Sequence, residues 1–176
     1  MRVWNSGLKI VKPKILIPYK LLLVCNSIQK KLENYEFSIL AKGRWTSDGF
    51  KLSSDYVIPE QEVSHCSVEY DNKDVLKYLK QGYNVVIHSH PFDSSDFSGI
   101  DDEYINANFQ CSILYSNSKF TNAVLNIKIN NEFKLQIKPE IKLIHDKIDV
   151  DISKIKKKEI VSVKVHTHYP SSFLYY

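Results

Sequence analysis

The feature that most constrains this chain is the run Tyr83-Asn84-Val85-Val86-Ile87, a short β-branched stretch after Gly82 that predicts a buried strand. Residues two apart in a strand project from one face, so His88 and His90 place two imidazoles side by side at its C-terminal end. Pro91 cannot donate to a sheet ladder and stops the strand, and the Ser/Asp/Gly-rich run after it is a loop. Ser98-Gly99-Ile100-Asp101 then has the pattern of a helix start, a hydroxyl at the N-cap with Asp101, Asp102 and Glu103 in the positive first turn. That turn can return Asp101 to the two histidines. Two imidazoles, one carboxylate and an open fourth position for water make a catalytic zinc arrangement, whereas a structural site closes with four protein ligands. Taken singly the parts are ordinary: His-x-His is often incidental, and Ser98 with Asp101 is also a plain capping pattern.

Taken together, His88-x-His90-Pro91, six residues, then Ser98-x-x-Asp101 resembles the signature of the JAMM (MPN+) metalloprotease family at every fixed position. The family also has an upstream glutamate followed seven residues later by a glycine, and Glu36-Phe37-Ser38-Ile39-Leu40-Ala41-Lys42-Gly43 fits that spacing. One departure is visible: many members have a glycine three residues after the glutamate, where this chain has Ile39.

The resemblance implies an α/β fold with a curved, mixed, mostly antiparallel sheet flanked by helices. It implies one zinc ion per chain, held by His88, His90 and Asp101. Glu36 would accept a proton from the zinc-bound water and pass it to the leaving amine, and Ser98 would donate a hydrogen bond to the oxyanion of the tetrahedral intermediate. The implied substrate is the bond between the C-terminal glycine of a ubiquitin-like modifier and a target amine, its extended tail added as a strand to an exposed edge. With no long insertion around the motif the domain is minimal, so recognition would depend on a partner subunit or on homodimerisation. Two alternatives stand beside this one. The first is a JAMM-like peptidase acting in phage tail assembly or sulfur-carrier processing. The second is a non-catalytic scaffold of the metal-free MPN type, which usually lacks one or more ligands.

Composition removes other classes. The 176 residues suit one core without disulfides, and a net charge of +4, carried almost entirely by lysine, is too mild and too dispersed for a nucleic-acid footprint. Cys25, Cys66 and Cys111 are odd in number and widely spaced, which predicts free thiols in a reducing compartment. No apolar run approaches the about 20 residues that cross a bilayer, and the N-terminus has no leader-like apolar stretch. The expectation is a cytoplasmic protein with no membrane partner.

In chain order, Leu8 to Ile17, broken by Pro13, suggests an edge strand or two short ones. Leu21, Val24, Cys25, Ile28 and Leu32 recur at helical spacing after Pro18-Tyr19. Glu36 to Trp45 is strand-like with Phe37, Ile39 and Ala41 on one face, and Asp48-Gly49 turns it into a returning strand, Phe50 to Ile58. Val63 to Tyr70 suggests a further strand, with His65 and Cys66 at alternating positions rather than as ligands. Asp71 starts a short amphipathic helix that ends at Gly82.

Past the motif, Tyr104, Ile105 and Phe109 continue the helix from Ser98, and Phe109 to Tyr115, Ala123 to Ile129 and Phe133 to Ile137 are strand-like. A catalytic domain over 1–146 is expected, followed by a C-terminal extension, 147–176, packing on the domain or on a partner. That extension holds a lysine-rich run from Asp149 to Lys158, an alternating stretch from Ile160 to Val165, and a second His-x-His, His166-Thr167-His168. No Ser-x-x-Asp follows this second pair, which is therefore read as a decoy.

Overall fold

A computed structural model of the chain describes residues 12–92, 97, 108–128, 134–145 and 153. The chain divides into two compact units, Met1–Asp146 and Lys147–Tyr176, and the fold that follows belongs to the first.

Strand β1 (Lys14–Pro18) runs directly into helix α1 (Tyr19–Leu32), whose Leu21, Leu22 and Cys25 are buried on one stripe and whose last turn carries Lys30 and Lys31 against the negative helix end. Strands β2 (Ser38–Thr46) and β3 (Gly49–Val57) form a hairpin closed by the two residues Ser47 and Asp48. Gly49 is required there, because its φ is +136° and a Cβ would come within 2.5 Å of the Lys14 carbonyl oxygen on β1.

A bulge between Ala41 and Gly43 shifts the β2–β3 register. Asn84 bridges Gly43 from the other side, accepting from its N–H at 2.8 Å and donating to its carbonyl at 3.0 Å.

Two very short strands, β4 (Gln61–Val63) and β5 (Val68–Tyr70), pair with each other in a separate small sheet. Helix α2 (Asn72–Lys80) follows, its N-cap Asp71 accepting from the Lys73 N–H at 2.7 Å. The chain continues through β6 (Val85–Ser89), β7 (Cys111–Ser116), β8 (Lys119–Lys128), β9 (Lys134–Ile137) and β10 (Glu140–Ile144). The main sheet has eight strands in the order β10-β1-β3-β2-β6-β7-β8-β9. It is mixed: β1 pairs in parallel with β10 and β3, and β6 with β7, while β2–β3, β2–β6, β7–β8 and β8–β9 are antiparallel. Strands β8 and β10 touch although they lie near opposite ends of that order, so the sheet curls into a half-barrel.

Alternation along β2 sorts the core into two clusters. Phe37, Ile39 and Ala41 join Ile15, Ile17, Phe50, Val85, Ile87, Cys111 and Ile113 in the larger cluster, to which α1 contributes Leu21, Leu22 and Cys25. Leu40, of opposite parity, belongs with Val86, Phe109 and the α2 residue Val75 in a smaller cluster. Strand β6 has a cluster on each face, Val85 and Ile87 in the larger and Val86 in the smaller, so all of its residues are buried, and a continuous apolar run rather than an alternating one encodes it.

Several expectations are corrected. Strand β1 is not an edge, because Pro13 precedes its first residue and spends no ladder donor; the Pro13 carbonyl instead accepts from the Glu140 N–H at 2.9 Å. Val63 to Tyr70 is not one strand but the turn and far half of the β4–β5 hairpin, and His65 and Cys66 sit exposed in its turn. Glu36 stands two residues ahead of β2 instead of beginning it. Most of the helix expected from Ser98 and of the lysine-rich run, and all of the stretch from Ile160 to Val165 and of His166-Thr167-His168, lie outside the described residues. Among the described residues, no helix is long and apolar enough to cross a membrane.

Candidate metal centre

The centre grows from the pairing of β2 with β6. Their register sets Ser38 opposite His88, and the same antiparallel count carried on brings Phe37 opposite Ser89 and Glu36 opposite His90. At the Phe37–Ser89 pair the Ser89 N–H donates to the Phe37 carbonyl at 2.8 Å, while the Ser89 hydroxyl oxygen accepts from the Phe37 N–H at 2.7 Å. The ladder is thus continued by a side chain where the two strands end. Glu36, Ser38, His88 and His90 therefore share one face, the face of Leu40 and Val86. The smaller cluster fills only part of that face, and the polar residues occupy its end.

Burial makes this group unusual. Glu36 is 7% exposed and His88 2% exposed, and His90, just past the strand, is partly buried. A glutamate that merely capped a loop would be solvated, so its seclusion calls for a partner. Glu36 Oε2 lies 3.4 Å from His88 Nε2, and the His88 and His90 rings stand perpendicular with centroids 5.1 Å apart. One ligand atom from each of Glu36, His88 and His90 falls within 4.8 Å of the others, and such a group could hold a metal ion.

Backbone bonds from four parts of the chain fix these positions. The Glu36 N–H donates to the Ser64 carbonyl at 2.8 Å, and the His90 N–H donates to the Tyr115 carbonyl at 2.9 Å. After His90 the Ser116 hydroxyl holds the Phe92 carbonyl at 2.8 Å.

The donor set fits a zinc-type ion. Imidazole nitrogen and carboxylate oxygen are donors that such an ion accepts, and Glu36 Oε2 and His88 Nε2 stand 3.4 Å apart. The other nitrogen of His88 is also placed as ligand histidines require, with Nδ1 3.0 Å from Ser38 Oγ.

Of the residues singled out in the sequence, the structure brings together Glu36, His88 and His90, while Ser98 and Asp101 lie outside the described residues. Sequence reasoning missed Ser38, Gln61 and Tyr70. Tyr70 donates to Ser38 Oγ at 2.6 Å, and the Gln61 amide accepts from the Ser38 N–H at 2.9 Å and donates to its carbonyl at 3.0 Å. Long-range side-chain hydrogen bonds between β2 and a hairpin 23 to 32 residues away reveal them. No model of a known protein family matches the chain, and no curated protein matches it either.

Proposed function

We propose that the chain is a zinc-dependent isopeptidase of the JAMM type, hydrolysing the bond between the C-terminal glycine of a ubiquitin-like modifier and a target amine. What supports the reading is the meeting of one buried carboxylate with two imidazoles, Glu36 with His88 and His90, in a chain whose sequence continues into Ser98-x-x-Asp101. His88 and His90, with Asp101, would hold the ion. When bound, it supplies Lewis acidity, bringing the ionisation of water to near neutral pH and polarising the scissile carbonyl.

The remaining chemistry belongs to the chain. Glu36 takes a proton from the attacking water and delivers it to the departing amine, and its seclusion keeps that carboxylate from competing solvent. Ser98 donates a hydrogen bond to the oxyanion.

The test is cleavage of a panel of modifier–lysine conjugates, with plain peptides alongside, in the presence and absence of a zinc chelator. Cleavage of the conjugates that the chelator stops, and that Glu36→Gln abolishes while zinc stays bound, is the expected result. Cleavage indifferent to the chelator or to Glu36→Gln would refute it, and a preference for plain peptides would move the substrate outside the modifiers. A second reading makes Glu36 itself the third ligand in a His-His-Glu set, favoured by its 3.4 Å separation from His88 Nε2. In that case Glu36→Gln loses zinc together with activity, so zinc retention in this variant separates the two.

A further inference from the structure

The β4–β5 hairpin is a small sheet of its own, yet both of its outer ends grip one residue of the main sheet. Gln61 and Tyr70 are directly paired across the hairpin. Gln61 holds the backbone of Ser38 at both its N–H and its carbonyl, in the manner of an added strand, and Tyr70 holds its hydroxyl. Ser38, fully buried, is in turn the residue opposite His88, with its Oγ 3.0 Å from Nδ1.

A neutral imidazole that gives one nitrogen to a cation must carry its proton on the other, and the partner of that second nitrogen decides which is which. We infer that the hairpin is a clamp: Tyr70 and Gln61 fix Ser38 so that His88 spends Nδ1–H on the serine oxygen and presents Nε2 toward Glu36 and His90. The inference rests on the metal-site reading above and makes Ser38 and Tyr70 positioning residues.

The chemistry of the hydroxyl allows this arrangement. Ser38 Oγ has two lone pairs, one taken by the Tyr70 O–H at 2.6 Å and the other available to His88 Nδ1–H. A serine left alone would rotate between donor and acceptor roles. Anchored on both its backbone and its oxygen, it offers the ring one fixed partner at one height. The same hairpin also carries Ser64, whose carbonyl accepts from the Glu36 N–H, so one small element sets both sides of the 3.4 Å gap between Glu36 and His88.

The test uses the full chain with Zn²⁺ alone. Its affinity is measured by competition with a chromophoric chelator for the wild type, Ser38→Ala, Tyr70→Phe and the hairpin control Glu69→Gln, and ¹⁵N spectra of the histidine rings read which nitrogen of His88 is metallated. Zinc on Nε2 with the proton on Nδ1 in the wild type is expected. Affinity should be about 10–100-fold weaker in Ser38→Ala and in Tyr70→Phe, and unchanged in Glu69→Gln.

Tyr70→Phe keeps the ring packed on the smaller cluster and removes one oxygen, so it carries the test even where Ser38→Ala folds poorly. A purely structural hairpin would lower thermal stability and leave the affinity and the metallated nitrogen untouched, which overturns the inference alone. Zinc on Nδ1 overturns it too. A wild-type chain that binds no zinc overturns the metal-site reading and the inference with it.

Discussion

Replacing Gly43 with alanine tests why a glycine stands seven residues after Glu36 in this chain. A Cβ at position 43 would lie 2.4 and 2.5 Å from two ring carbons of Phe50 and 2.9 Å from Val85 Cγ2, all well inside contact distance. Phe50 is fully buried and packs edge-on to Trp45 at 5.4 Å, so its ring cannot swing into solvent. Overpacking a filled core costs about 1–3 kcal/mol, and removing a glycine from a strand returns about 0.5–1 kcal/mol by restricting the unfolded backbone. Steric conflict wins, and with both contributions at the middle of their ranges the net loss is about 1.25 kcal/mol.

For a chain of this size that lowers the melting temperature by about 2.5–5 °C, readable by calorimetry. The partner substitution Phe50→Leu shortens the obstructing ring, so Gly43→Ala should cost less in that background, a coupling of about 0.5 kcal/mol or more in a double-mutant cycle. A Gly43→Ala protein as stable as the parent, or a strictly additive cycle, would refute the packing account.

Zinc at about a hundredfold above its dissociation constant should add about 2.7 kcal/mol and raise the melting temperature by about 5–11 °C, an increment that His88→Ala abolishes; a flat melting temperature counts against the centre. Burial pushes the Cys25 thiol from 9.0 up to about 12 and raises Cys111 as well, while Cys66 is exposed. A disulfide reagent at neutral pH should therefore label one thiol fast and two only on unfolding. Because the native state keeps two protons that an unfolded chain releases above its ordinary thiol pKa of 9.0, stability should be level below that pH and fall above it, checked by urea midpoints at about pH 8 and about pH 10. Gly49→Ala meets both a left-handed φ and a backbone carbonyl at 2.5 Å, whereas Gly82→Ala meets a φ of +87° and open space. Gly49→Ala should lose more than the about 1–3 kcal/mol of backbone strain expected at Gly82, and equal losses would undo the steric argument.

Local periodicity carried the parts of the fold whose information is local. The apolar stripe of α1, the Asp71 cap of α2, the Asp48-Gly49 turn and the β-branched run of β6 were all legible because each is set by neighbours within a few residues. The β1–β10 pairing was not, since parallel strands joined across most of the domain leave no mark at either end. The β4–β5 turn was missed for a different reason: Ser64-His65-Cys66-Ser67 has neither glycine nor proline to punctuate it. At the site, His88 and His90 were legible from period two, and Glu36 from its spacing to Gly43. Ser38 looked like any polar strand residue, because what distinguishes it is the residue opposite and the tyrosine above it.

The pairing of β2 with β6 has a kinetic consequence. The residues that meet there are about fifty positions apart in the chain, so Glu36 reaches the histidines only once a long loop has been closed. A cation held by the histidines would then be locked by the same ladder, Ser38 to Ala41 against Val85 to His88, that must part before the native sheet is lost. Amide exchange along those four pairs and the slowest phase of ion release should therefore run on one clock, with loading of the site marking the moment at which the centre of the domain has closed.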